Sequence, residues 1–132
     1  MENRKIYSKL IKNEKNKIIY WASTGLISLA MVASEFMYIM NQQMIATFHH
    51  LGFPDYFRIE LGTAKILGGI ALILPMVSNR VKEWVYVGLS ISFISAPIAH
   101  ISSGDPVTVA VAPLLFFGLL VVSYIFKGKL NA

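Results

Sequence analysis

Four long runs of apolar residues divide the chain, at about Ile18 to Met40, Ile59 to Val77, Trp84 to Ile101 and Val107 to Phe126. Each is close to the roughly 20 helical residues that cross a hydrocarbon core about 30 Å thick. The apolar residues come in whole blocks and not in amphipathic stripes, which predicts membrane spans. The third run is the shortest, and its end is well marked. Gly104 is placed to close that helix, Asp105 to cap the next one, and Pro106 to occupy its first turn. The pattern predicts an all-α fold, an integral membrane four-helix bundle. A short outer interfacial segment lies between helices 1 and 2.

That segment, Asn41 to Arg58, is too polar to span and too apolar to lie free in water. Phe48, Leu51, Phe53, Tyr56 and Phe57 suit a short helix or turn on the membrane surface, and Gly52-Phe53-Pro54-Asp55 marks a break in it. The aromatics are read first as an interface anchor and second as a ligand slot.

Composition supports the membrane assignment. Of 132 residues, 55% are hydrophobic and 14% charged, with a mean hydropathy of +0.59. So small a soluble domain would need more charge to cover its surface. Cysteine is absent, which excludes disulfides, thiolate catalysis, Cys-ligated zinc and iron–sulfur clusters. No haem or dinucleotide signature appears, nor a nucleophile elbow, a phosphate loop or a His-Glu-x-x-His string.

The net charge of +5 would suggest nucleic acid if its distribution did not explain it better. Ten cations flank the apolar runs at Arg4, Lys5, Lys9, Lys12, Lys15, Lys17, Arg80, Lys82, Lys127 and Lys129. With four spans these lie on one side, and the other side has only Arg58 in its loops. The positive-inside rule makes the first side cytoplasmic, with both termini there. Tyr20, Trp21, Trp84, Tyr86 and Tyr124 form the matching aromatic belt. Residues 1–17 are then a basic cytoplasmic segment, 18–126 the four-helix domain and 127–132 a short cytoplasmic tail. Ile6, Tyr7, Leu10 and Ile11 share one face of the first segment, which predicts a short amphipathic helix on the inner leaflet or a disordered topogenic tail. The small residues Val32-Ala33-Ser34 mimic a signal-peptide cleavage site, but the apolar run continues past them to Met40.

Ionisable residues inside the apolar runs carry the functional information. Glu35, Lys65, His100 and Asp105 fall at one depth near the outer face, one from each helix, and form a candidate polar site. Tyr38, His49, His50 and Tyr56 are candidates for its rim. Gly62, Lys65, Gly68 and Gly69 share a face of the second span; Gly88, Ser92, Ala96 and His100 share one of the third. Small residues at such spacing predict helix–helix contact and turn Lys65 and His100 inward. Pro97 removes a backbone bond one turn before His100 and predicts a kink or a free carbonyl. Two readings of Glu35 and Lys65 stay open: an ion pair that fixes helix register, or part of a pocket for substrate, quinone or proton chemistry. His100 has a bland reading as an interfacial histidine bonded to Asp105. His49, His50 and His100 with a carboxylate form a metal alternative, weakened because adjacent histidines point apart on a helix.

Several strings together resemble the DoxX-like family of small bacterial membrane proteins. They are His50-Leu51-Gly52-Phe53-Pro54-Asp55-Tyr56-Phe57, Leu61-Gly62-Thr63-Ala64-Lys65-Ile66-Leu67-Gly68, Pro75, Val81 to Gly88, Ala99-His100 and Gly104-Asp105-Pro106. The resemblance extends from about Met31 to the C-terminus. It implies a four-span bundle in the bacterial inner membrane, with recurring polar positions at Lys65, Glu83, His100 and Asp105. Glu83 has a simpler reading as a helix N-terminal charge. The wider superfamily includes subunits of a thiosulfate:quinone oxidoreductase and proteins tied to oxidative stress or to redox-enzyme maturation. The implied function is an auxiliary redox or quinone-associated subunit; whether the chain is itself an enzyme stays open. The rival classes are a small-molecule binding or transport protein and a structural adaptor using the basic N-terminal segment. Implied partners are the bilayer, a membrane or soluble redox partner and a second copy of the chain. Nucleic acid is not among them.

Overall fold

Helix formers dominate the N-terminal residues, and neither glycine nor proline interrupts them before Gly25. The computed structural model, which describes residues 2–131, accordingly has a single 39-residue helix α1, Glu2–Met40. Such a helix is roughly 58 Å long. The N-terminal residues, expected as either a short amphipathic helix or a disordered tail, form neither and instead extend α1. They continue the first apolar run without a break, and residues 2 to 15 are exposed beyond the bundle. The inward stripe of α1 is Asn16, Tyr20, Ser23, Thr24, Ile27, Ser28, Met31 and Glu35, at helical spacing.

Asn41 leaves the helical conformation and its side chain accepts from the Gln43 backbone at 2.8 Å, capping a short helix α2, Gln42–His50. Gly52, at φ +88°, and Pro54 then turn the chain. Helix α3, Asp55–Ile73, starts after Pro54 and stops just before Leu74, whose conformation Pro75 restricts. It runs antiparallel along α1: Gly62 sits over Ile39 and the Glu35 carbonyl, Gly69 over Met31 and Ser28. Gly68 instead faces Val85 of the next helix.

Helix α4, Asn79–Ser102, is capped by Ser78 and passes through Pro97, leaving the Phe93 carbonyl without its usual donor. A turn with Gly104 at φ +86° follows. The N-cap of the next element is Pro106, which leads a 3-10 turn, Val107–Ala110, into α5, Val111–Asn131. Asp105 therefore does not cap the final helix as its position suggested. Its carboxylate is drawn to two histidines.

The described residues contain helices and turns only, arranged up-down-up-down. Ile27, Met31, Leu72, Tyr86, Leu89, Phe93 and Leu120 form the core. Three helical stretches are long and apolar enough to cross a membrane: α1, α4 and Val107–Leu130. Helix α3 is not among them, because Arg58, Glu60 and Lys65 interrupt it.

Candidate functional site

Two polar layers flank the core. At the end of the bundle where α2 lies, Lys65 Nζ donates to Glu35 Oε1 at 3.3 Å. Both residues are buried, at 8% and 2% exposure. The bond is long for a charge-assisted one, and Glu35 Oε2 has no partner among the described residues. The ammonium also lies 5.4 Å from the centre of the Tyr38 ring and 6.0 Å from that of Phe93, within cation–π range.

Lys65 faces a cavity of about 260 Å³ bounded by α2, α3 and α4. Met44, Phe48, Leu51, Phe53 and Phe57 roof it, and Gly88, Ser92, Ser95, Ala96 and Ala99 of α4 form its floor and wall. The small-residue stripe of α4 thus shapes a cavity and does not seat a neighbouring helix. The inward face of α4 is Lys82, Tyr86, Leu89, Phe93 and Pro97 instead. A cleft of about 170 Å³ between α3 and α4 continues the cavity through Leu61, Lys65, Gly88 and Ser92 to Gly68 and Val85.

His100 and Tyr38 line the same cavity as Lys65. Behind His100, its Nδ1 bonds Asp105 Oδ2 at 2.7 Å, and His50 Nε2 reaches the other carboxylate oxygen at 2.8 Å. One carboxylate therefore ties α2 to the α4–α5 turn. These two bonds, that from His100 first, hold the Asp105 carboxyl below its usual range. His49 turns the other way and pairs with Asp55 at 3.0 Å, bracing α2 against the start of α3. Tyr56, expected at the rim, is 70% exposed and lies off the site. Its neighbours Phe53 and Phe57 take the inward positions, stacked at 4.7 Å, so the aromatics of this segment line a cavity and are not simply a surface anchor. Among the described residues no group of histidines and acids has metal-holding spacing.

Arg58 was legible only as a loop cation. It is buried, and its guanidinium donates to the carbonyls of Tyr38 and of Ile39, the latter at 3.1 Å. These belong to the last turn of α1, where free carbonyls and the helix dipole both favour a cation.

The site therefore consists of an ammonium with one long bond, a histidine whose second ring nitrogen has no described partner, and hydroxyls of Thr47, Ser92 and Ser95, set in an apolar enclosure. It can orient a molecule with hydrogen-bonding oxygens at one end and an apolar body.

The family model described as DoxX-like matches residues 22–123. The chain belongs to the DoxX-like family. The match starts nearer the N-terminus than the motifs suggested, takes in the C-terminal half of α1 and ends at residue 123, short of the C-terminus. It leaves out the exposed basic stretch. No curated protein and no solved structure matches the chain. This DoxX-like chain is a small multi-pass helical membrane protein.

Proposed function

We propose that the protein crosses the membrane four times, with both termini in the cytoplasm, and binds a lipid-soluble, oxygen-bearing small molecule of the quinone class beneath α2. The observation that carries this reading is the Lys65 ammonium, exposed to an apolar cavity and held by a single 3.3 Å contact. A ligand carbonyl or phenolate oxygen would use the free donors of that ammonium. His100, oriented by Asp105, would meet a second oxygen or exchange a proton with it. The α3–α4 cleft favours a ligand arriving sideways from the bilayer. The family's association with quinone-linked redox proteins favours a quinone over other amphipathic molecules and an auxiliary redox role, with electrons supplied by a partner protein.

A fourth span is compatible with the charges on α3. An ionised group in hydrocarbon costs about 2.5–3.5 kcal/mol on insertion scales unless it is paired. Lys65 is paired, and Arg58 is bound to the carbonyls that end α1. Glu60 is exposed near the α2 end. Reporter fusions after residue 132 and within residues 42–55 should give opposite signals; matching signals would defeat the topology.

Binding is tested by photolabelling with an azido-quinone in nanodiscs. Label is expected on residues 44–57 and 88–100 and should fall at least tenfold in the Lys65→Met/Glu35→Gln double variant. Unsaturable labelling, or label confined to other segments, would overturn the reading.

A further inference from the structure

The opposite end of the bundle carries charge that the first site does not use. Lys82 on α4 and Lys127 on α5 are each only 7% exposed, and the Tyr86 ring beside Lys127 lies one helical turn along α4 from Lys82. A carboxylate pairs with one of the two. Lys127 Nζ bonds Glu83 Oε1 at 3.0 Å, while the Glu83 side chain is 43% exposed. The Lys82 side chain makes no ion pair with any described residue. Two lysines with buried stems and one half-exposed carboxylate leave an excess of positive charge at this end, and the unpaired Lys82 ammonium stays open to a counter-anion. The ring faces of Tyr86 and Tyr124, each 6.0 Å from Lys127, wall the site on one side.

A groove of about 360 Å³ leads away from this point between α4 and α5. It runs from Glu83 and Tyr124 to Ile94 and Phe117. That stretch of α4 is roughly 17 Å long, and the groove lining is almost wholly apolar. A charged end and an apolar groove match the two parts of a phospholipid.

The geometry points to a phosphate-binding site at Lys82 and Lys127 that takes the headgroup of an anionic phospholipid and lays an acyl chain in the α4–α5 groove. The phosphate group is the chemistry recognised, and the groove selects the lipid over free phosphate. Neither lysine lines the α2-end cavity or its α3–α4 cleft, although Ile91 lines both that cavity and the groove. The site stands whether or not that cavity binds a quinone. On the proposed topology it faces the cytoplasmic leaflet, where anionic lipids attract basic residues.

The test is native mass spectrometry of the full chain released from nanodiscs containing equal phosphatidylglycerol and phosphatidylcholine. The wild-type protein should retain phosphatidylglycerol in preference. Lys82→Gln should lower that retention at least fivefold, while Lys82→Arg keeps it. Removing an ammonium that has no ion-pair partner should leave the melting temperature of Lys82→Gln unchanged or raised. Lys9→Gln, on the exposed N-terminal stretch, should retain lipid like the wild type. Equal retention of the two lipids by the wild type, or unchanged retention in Lys82→Gln, overturns the proposal. Millimolar inorganic phosphate should not displace the lipid. Displacement would assign the site to a soluble phosphate and overturn the lipid reading.

Discussion

The two polar layers of this bundle are built on different principles. At the terminal end, the Ser123 hydroxyl bonds Thr24 at 2.6 Å and Tyr86 at 2.7 Å, joining α1, α4 and α5. All three residues are buried, and the hydroxyl chain satisfies its own members. At the α2 end, Glu35 and Lys65 share one long bond, one carboxylate oxygen is unpartnered, and the space beyond the ammonium is open. Closed networks rigidify a bundle; a half-satisfied network beside a cavity is where a ligand completes the structure. The difference separates a hydroxyl network that holds the helices together from the layer in which we propose that a small molecule binds.

The largest expected effect comes from breaking the pair at the α2 end. Lys65→Met alone leaves Glu35 buried beside apolar groups and should cost about 3–5 kcal/mol, as should Glu35→Leu alone. The double variant Lys65→Met/Glu35→Leu should recover most of that stability and still fail to bind ligand. Equilibrium unfolding in detergent with urea or SDS checks the first statement, and quinone photolabelling checks the second. A double variant that binds normally would make the pair purely structural.

The terminal layer should respond in the opposite sense. Ser123→Ala removes the hydroxyl used by both Thr24 and Tyr86 and should cost about 1–3 kcal/mol. Photolabelling of the α2-end cavity should not change. Loss of labelling at unchanged stability would show that the two layers are coupled.

Two glycines sharpen the contrast between seam and cavity. A methyl at Gly69 would meet Met31 Cβ at 3.2 Å and the Ser28 carbonyl at 3.3 Å. Gly69→Ala should therefore lose about 1–3 kcal/mol through overpacking of α1 on α3. A methyl at Gly88 meets nothing within 4 Å, and Gly88 lines the cavity. Gly88→Ala should leave stability unchanged or raise it by up to about 1 kcal/mol through helix propensity. Gly88→Leu should fill the cavity and exclude ligand. Melting temperatures and labelling yields of the three variants measured together would separate the roles.

The smallest effect concerns pH at the α2 latch. The Asp105 carboxyl is held below its ordinary value by His100 and then His50. A carboxyl with a lowered folded-state pKa contributes stability above its ordinary pKa and loses it as pH falls through the lowered value. Between neutral pH and the ordinary carboxylate range α2 should therefore stay docked; more acidic conditions should release it. Amide exchange in residues 42–50 should quicken below that range in the wild type. Asp105→Asn should show the quickened exchange already at neutral pH.

The chain's local pattern was enough to specify helices, their approximate ends and the membrane as solvent. Apolar runs of bilayer length, the Gly52–Pro54 break, the stop before Pro75 and the Gly104 turn all act within a few residues of themselves, so they are legible in one dimension. The depth of Glu35, Lys65 and His100 was legible for the same reason, since rise per residue is fixed. Packing was not. Gly88, Ser92 and Ala96 have the spacing of a helix contact, but whether a small-residue face meets a helix or a void depends on where α2 and α3 lie. Tyr56 and Phe57 are adjacent and similar, and only the placement of α3 against α1 turned one outward and the other in. Asp105 looked like a cap because capping is a local rule; the His100 imidazole five residues back and the distant His50 imidazole take its carboxylate instead. The Thr24–Ser123–Tyr86 chain had no sequence signal at all, and the charge pattern put Lys82 and Lys127 on one side without showing that their stems are buried, because hydroxyls and lysines acquire such roles only when antiparallel helices bring them together. Sequence set what each segment could be in a membrane. Long-range packing decided which polar groups were satisfied, and so where chemistry is left to be done.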